Sequence, residues 1–172
     1  MSPNEIEILC KKYKIENYSI NSNGSIDVDG DVILIYIDLT ELPLVFNNVT
    51  GYFCCNINKL TTLVGGPSSV GGTYTCSSNK LESLLGAPSV VGGNFDCSYN
   101  SLISTYSGLT DIEVGGDVYF MDCELPELIE NNYINIKLIL KYQRHFEIWN
   151  DDLSLNVENY QILLDEINDG LE

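Results

Sequence analysis

The sequence predicts a repeat solenoid of about five coils built on a parallel β-sheet, with an N-terminal and a C-terminal helical cap. Three observations predict it. The segments GGTYTCSSNKLESL (71–84) and GGNFDCSYNSLIST (92–105) repeat one pattern of residue types in the same order. Counted from the glycine that opens each unit, the starts are Gly30, Gly51, Gly72, Gly93 and Gly116, a spacing of 21, 21, 21 and then 23 residues. The flanks lack the repeat and carry apolar residues at helical spacing.

Each place in the unit has a physical reason. The third residue (Val32, Phe53, Tyr74, Phe95, Val118) and the fifth (Leu34, Cys55, Cys76, Cys97, Phe120) alternate as the inner face of a short strand. Cysteine there is small and apolar enough to stack on its own copies about 4.8 Å apart. The eighth residue is Ile37, Asn58, Asn79, Asn100 and Cys123; an inward asparagine amide can bond the backbone amides left without partners at the corner after the strand, in successive coils as a ladder. Leucines follow at the tenth place (Leu39, Leu60, Leu81, Leu102, Leu125) and the thirteenth (Leu42, Leu63, Leu84, then Thr105), so the three central units fit the leucine-rich-repeat core LxLxxNxL with an aromatic and a cysteine in the first two apolar places. The GGP at 65–67, the GAP at 86–88 and the VGG ending at Gly72 and Gly93 read as short return turns alternating positive and fixed φ, with no room for a helix.

The cap at 1–29 is expected to form a helix and then a strand: Ile6, Leu9, Cys10 and Tyr13 share one helical face over Glu5–Tyr13. The solenoid occupies 30–125. The C-terminal cap, 126–172, is expected to begin with Pro126 as first residue of a helix through roughly Arg144, burying Leu128, Ile129, Tyr133, Ile136, Ile139 and Leu140. A second helix should run from Asn156 or Val157 to Asn168 and end at Gly170. The three parts form one cooperative domain.

CSSNKLESLLGAPSVVGG (76–93) resembles the repeats of a family of short leucine-rich-repeat-like proteins encoded mainly by bacteriophages and prophages, whose units read GxFxCSxNxLTSLxGxPxxVGG. The entry segment IENYSINSNGSIDVDGDV and the tail KYQRHFEIWNDDLSLNVENY are similar to that family as well. The resemblance implies the fold and a phage setting, hence the bacterial host cytoplasm, and it implies no activity.

Composition narrows the function. The chain has 25 acidic and 8 basic residues, and its net charge of -17 is uneven: -5 over residues 1–41, 0 over 42–110 and -12 over 111–172. A surface that holds phosphates needs a lysine and arginine stripe, so direct nucleic-acid binding is excluded and a basic protein partner is favoured. No segment reads as a signal peptide or a bilayer span, so a soluble protein with reduced cysteines and no membrane partner is expected.

Catalytic and metal chemistry have little to stand on. His145, the single histidine, falls near the end of a cap helix, where it is read as structural or solvated. Asp27, Asp29 and Asp31 are a string of alternate carboxylates, but Ile26, Val28 and Val32 lie between and beside them, the mark of a strand with one wet face rather than a calcium site. Asn150, Asp152, Ser154 and Asn156 fall on ligand places of an EF-hand loop, yet Leu155 stands where glycine is needed and Gln161 where glutamate is needed. No metal and no cofactor is assigned.

The outward face of the first coils is the candidate site. Where such repeats carry polar residues, this chain has Ile33, Ile35 and Tyr36, then Tyr52, Cys54 and Ile57, beside Asp31, Asp38 and Glu41. Either the N-terminal helix or a register shift covers them, or they form an apolar hot spot in an acidic rim for a protein partner. Tyr99, Tyr119 and Met121 extend the face, and Asp151 and Asp152 supply carboxylates for association. The expected function is a non-catalytic inhibitor of a bacterial defence protein such as a CRISPR effector, a basic and nucleic-acid-handling partner for whose groove it competes. The alternative is a structural or accessory virion protein. An enzyme or a carbohydrate-binding module on Thr73, Thr75, Ser77, Asn94 and Ser98 ranks below both.

Overall fold

The computed structural model describes residues 1–100, 111–152 and 154–171. Its elements are α1 (Pro3–Tyr13), β1 (Tyr18–Ile20), β2 (Ile26–Val28), β3 (Val32–Ile33), β4 (Phe46–Val49), β5 (Phe53–Cys54), β6 (Ser69–Val70), β7 (Tyr74–Thr75), β8 (Val90–Val91), β9 (Phe95–Asp96), β10 (Glu113–Val114), β11 (Val118–Tyr119), α2 (Glu127–Glu130), α3 (Ile136–Tyr142) and α4 (Val157–Asn168). Two parallel sheets face each other across one core. One runs β3-β5-β7-β9-β11; the other runs β2-β4-β6-β8-β10 with β1 added antiparallel at its outer edge. This is a parallel β-solenoid.

The repeat spacing is the strand register. Val32 pairs with Phe53, Phe53 with Tyr74, Tyr74 with Phe95 and Phe95 with Val118, as the unit starts require. The last step is 23 residues in both sheets, so the two extra residues lie between β9 and β10. Leu102 and Thr105 of the fourth unit lie outside the described residues.

Two columns run through the core, beside the buried leucines Leu60, Leu63, Leu81 and Leu84 and the valines Val49, Val70 and Val91. Phe53 and Tyr74 stack with ring centroids 5.4 Å apart, Tyr74 and Phe95 5.6 Å apart, and Phe46 and Phe120 close the column at its ends. Beside it Cys55, Cys76 and Cys97 are buried and unbridged. Burial pushes all three thiols above their ordinary range, and the thiols of Cys55 and Cys76 donate to strand carbonyls of the following coil.

The eighth-place asparagines bind backward along the stack. Asn79 donates to the carbonyls of its own Cys76 and Ser77 and to Cys55 of the preceding coil, while its oxygen accepts Leu60 N–H at 3.0 Å. Asn100 does the same for Cys76 and Leu81, and Asn58 for Leu34, Ile37 and Leu39. Most of these bonds go to carbonyls rather than to the amides that the sequence suggests. Because each asparagine serves the coil before it, the first coil needs none of its own: Ile37 at that place is solvent-facing. In the last coil the Cys123 thiol takes over, donating to Cys97 O.

Three expectations need correction. The VGG segments are turns only in their glycines: Val70, Val91 and Val114 are rungs of the second sheet, and the glycine pairs that follow bend the chain without positive φ, at a place where a Cβ at Gly71 or Gly92 would strike the carbonyl of the coil below. The positive φ belongs to Gly65 and Gly86, at +91° and +88°. The N-terminal cap is a helix and a hairpin, and β2 is already the first rung of the parallel stack. The first C-terminal helix is broken. Pro126 precedes α2, and the Asn132 side chain takes the Leu128 carbonyl at 2.7 Å, so a 3-10 turn (Tyr133–Asn135) intervenes before α3. Leu128 and Tyr133 are exposed rather than buried. The Tyr133 hydroxyl nevertheless closes the last strand, accepting Phe120 N–H and donating to Val118 O.

The remaining cap elements match their sequence signals. Ser2 and Glu5 form a capping box on α1, and Ile6 and Cys10 are its buried residues. Asn156 caps α4. Among the described residues no helix is long and apolar enough to cross a membrane.

The asparagine bonds carry a stability prediction. Asn79→Ala strands several buried backbone groups at once and should destabilise by about 2–3 kcal/mol, whereas Lys80→Ala, on the exposed neighbour, should change stability by less than about 0.5 kcal/mol. Urea denaturation of both variants measures this; coincident midpoints would contradict the role given to the amide.

Candidate functional site

The outward face of the β3–β11 sheet is shaped by one backbone feature. In a plain strand the seventh place would point inward, like the third and fifth, and the eighth outward. The seventh place instead adopts left-handed φ in every coil: Tyr36 at 55°, Ile57 at 55°, Ser78 at 54°, Tyr99 at 58° and Asp122 at 53°. In the three central coils this reversal sends the seventh side chain outward and the eighth, asparagine, into the core. The left-handed region favours glycine and asparagine and is costly for β-branched and bulky residues.

Tyr36, Ile57 and Tyr99 are therefore unexpected on two counts. They sit in a backbone conformation that disfavours them, and they recover little by burial, being 79%, 46% and 50% exposed. Ile33, Ile35 and Tyr52 lie on the same face at 52%, 37% and 52% exposure, with Cys54 partly exposed. Neither α1 nor a register shift covers them. The face is thus apolar and aromatic over the first two coils, polar over the third, and aromatic again toward β11 with Tyr99, Tyr119 and Met121, where the Tyr99 hydroxyl meets the Met121 sulfur at 3.1 Å.

The carboxylates divide into two groups. Asp31 accepts Tyr52 N–H at 2.8 Å, and Asp38 pairs with Lys59 at 2.7 Å in an exposed geometry. Glu41 is exposed. Asp151 and Asp152 belong to the turn between Trp149 and Leu155 in the C-terminal cap, beyond β11, with β5, β7 and β9 between that end and β3. The structure does not bring them to the apolar patch. Asp152 is engaged locally: hydrogen bonds from the Ser154 hydroxyl and amide hold its carboxyl below the usual range.

The residues weighed for metal or catalytic roles have structural partners. Asp27, Asp29 and Asp31 each bond the residue 21 positions on, Asn48, Thr50 and Tyr52, with Asn47 adding a bond to Asp27. They stitch the first coil to the second. Thr73 and Asn94 continue the stitch by accepting the amides of Asn94 and Asp117, and the Ser98 hydroxyl accepts Met121 N–H. His145 is exposed on the cap, edge-on to Phe146. Among the described residues no three His, Cys, Asp or Glu side chains are grouped to hold a metal ion.

A cleft of ≈ 490 Å³ lies where the last coil meets the cap, lined by Tyr119, Met121, Asp122, Glu130 and Tyr133 among others. The charge of Asp117 raises the Tyr119 hydroxyl above its ordinary range. Nothing in the repeat pattern announces this cleft, because Glu130 of α2 and Tyr133 of the 3-10 turn close it against the last coil. The left-handed seventh place did have a sequence signal: Ser78 and Asp122, residue types that tolerate turns, stand there.

No family model, no curated protein and no solved structure matches this chain.

The strain at the seventh place is measurable. Ile57→Asn should stabilise the protein by about 0.5–1 kcal/mol, since the relief of left-handed strain exceeds the loss of a half-exposed side chain. A raised urea midpoint is the expected result; a lowered one would mean that Ile57 makes an intramolecular contribution larger than its strain.

Proposed function

We propose that this protein is a non-catalytic protein-binding module whose outward sheet face, centred on Ile33, Ile35, Tyr36, Tyr52 and Ile57, docks a protein partner. The observation that carries the reading is the pairing of exposure with strain. Tyr36 and Ile57 cost the free protein stability and gain it little, and a contact made only in a complex accounts for such residues on a repeat that is otherwise locally favourable. Tyrosine and isoleucine desolvated at the middle of an interface, with polar and charged residues around them, are what binding hot spots consist of.

Charge specifies the kind of partner. With a net charge of -17, the chain attracts a basic surface and speeds encounter with it. Together with the resemblance to phage-encoded repeat proteins, this supports an inhibitor of a basic, nucleic-acid-handling bacterial defence protein, acting by occupying the groove that protein keeps for its guide or target. The separation of Asp151 and Asp152 from the patch gives them a part in long-range attraction rather than in contact.

The test is inhibition and binding by the full chain against purified nucleic-acid-guided defence effectors. Tyr52→Ala and Ile35→Asp should each weaken binding by at least about 30-fold, about 2 kcal/mol, while their melting curves stay close to the parent. Binding should also weaken as salt rises. Ile57→Asn should lower affinity even as it raises stability. Indifference to all three substitutions would remove the face from the interface, and failure to bind any effector, together with abundance in purified particles, would favour a virion component.

A further inference from the structure

The first sheet and the second end differently at the N-terminal side. The β2 sheet is carried one strand further by β1, whose Tyr18 and Ile20 are partly buried against the core. The other sheet simply stops at β3. In a parallel ladder alternate residues bond alternate sides, and here Val32, Leu34 and Tyr36 donate to the carbonyls of Tyr52, Cys54 and Asn56 in the next coil. The amide groups of Ile33 and Ile35 therefore point the other way, to where a preceding coil would lie, and no hydrogen bond to either is found among the described residues.

An unpaired edge of this kind is a template for another strand. At β3 it adjoins the exposed side chains of Ile33, Ile35 and Tyr36. Its charge is one-sided: between Lys14 and Lys59 the chain carries six carboxylates and no lysine or arginine, and Asp29 and Asp31 immediately precede β3. A second copy pairing β3 to β3 would bring the same carboxylates together, and a stack of copies head to tail is blocked at the other end, where Tyr133 occupies the backbone groups of Val118 and Phe120.

We infer that β3 is a strand-addition site, and that its occupant is an extended, basic segment of the partner protein, apolar in alternate positions and flanked by lysine or arginine. The segment forms an additional rung below β3, its backbone bonding Ile33 and Ile35, its outward apolar side chains continuing the row of Ile33, Ile35 and Tyr52, and its basic flanks meeting Asp29 and Asp31. The inference rests on the binding-face reading above and deepens it by stating how the partner engages: main-chain pairing gives affinity, and the side chains give selectivity.

The probe is an octapeptide of alternating valine and threonine between paired terminal lysines, titrated against the full chain while backbone amide exchange is followed by NMR. Expected are exchange slowed at least tenfold at Ile33 and Ile35, binding lost at least tenfold when the peptide is N-methylated along one edge, and no binding by the peptide with glutamate in place of lysine. Ile35→Pro, which removes a donor facing away from β5, should abolish binding; if that variant fails to fold, the N-methylated peptide decides. Binding that is indifferent to N-methylation and leaves the two amides unprotected would overturn strand addition while leaving the binding face in place. Protection that rises with protein concentration alone, with a dimer in sedimentation, would make the occupant a second copy and overturn the inference. A chain to which neither peptide binds would overturn it as well, whereas the binding-face reading fails separately, through the patch substitutions on effector binding.

Discussion

The side-chain amide of the eighth-place asparagine is the bond on which the rest of the coil depends. It is inside the core, where a polar group must be satisfied, and it is satisfied by the carbonyls of its own strand and of the strand before. That geometry sets several things together. The chain must turn left-handed at the seventh place to aim the amide inward, the strand must be short, and the next coil must return after 21 residues for its asparagine to reach back. Aromatic and cysteine columns then fall into register without further instruction. The backward direction of the bonds also explains the two ends: an isoleucine suffices in the first coil because Asn58 serves it, and a thiol replaces the amide in the last.

A coil fixed from within leaves its outer residues largely free. On this scaffold the second, fourth, sixth and seventh places carry carboxylate, hydroxyl, aromatic and aliphatic side chains without loss of register, and the second place often adds a side-chain bond to the coil above. That freedom is the physical basis for assigning binding to the face. Where an outer residue works against the local backbone, as Ile57 does, the coil tolerates it because the cost of about 1–2 kcal/mol falls on a structure tied at many other points. The same logic separates the two acidic ends, since a solenoid holds its termini apart by the number of coils between them.

The central coils were largely legible in the sequence because their pattern is local and repeated three times in register. Phe53, Tyr74 and Phe95, the three cysteines and the three asparagines occupy the places that the pattern assigns to them. What escaped depends on neighbours distant in sequence. The later rungs of the second sheet, β6, β8 and β10, have two residues each, too short to show alternation, and pair only because coils stack. The break after α2 arises from one side chain, Asn132, competing for a backbone carbonyl inside an apolar pattern that suits a continuous helix. At the candidate site, the outward apolar residues were readable by place number, but neither their exposure nor the left-handed strain beneath three of them follows from residue type, and the open edge at β3 is a property of how the cap is joined.

If the coil is the unit and the asparagine bond sets its length, a whole coil should be removable and a fraction of one should not. Deleting Gly72–Gly92, which joins Gly71 to Gly93, removes one full 21-residue step and lets Asn100 serve Cys55 and Leu60 in place of Asn79. Cooperative thermal unfolding of that variant, with the signals of α1 and the first coil unchanged, is the predicted result, alongside loss of the cooperative transition when one residue fewer is deleted. Equal disruption by the two deletions would contradict the account.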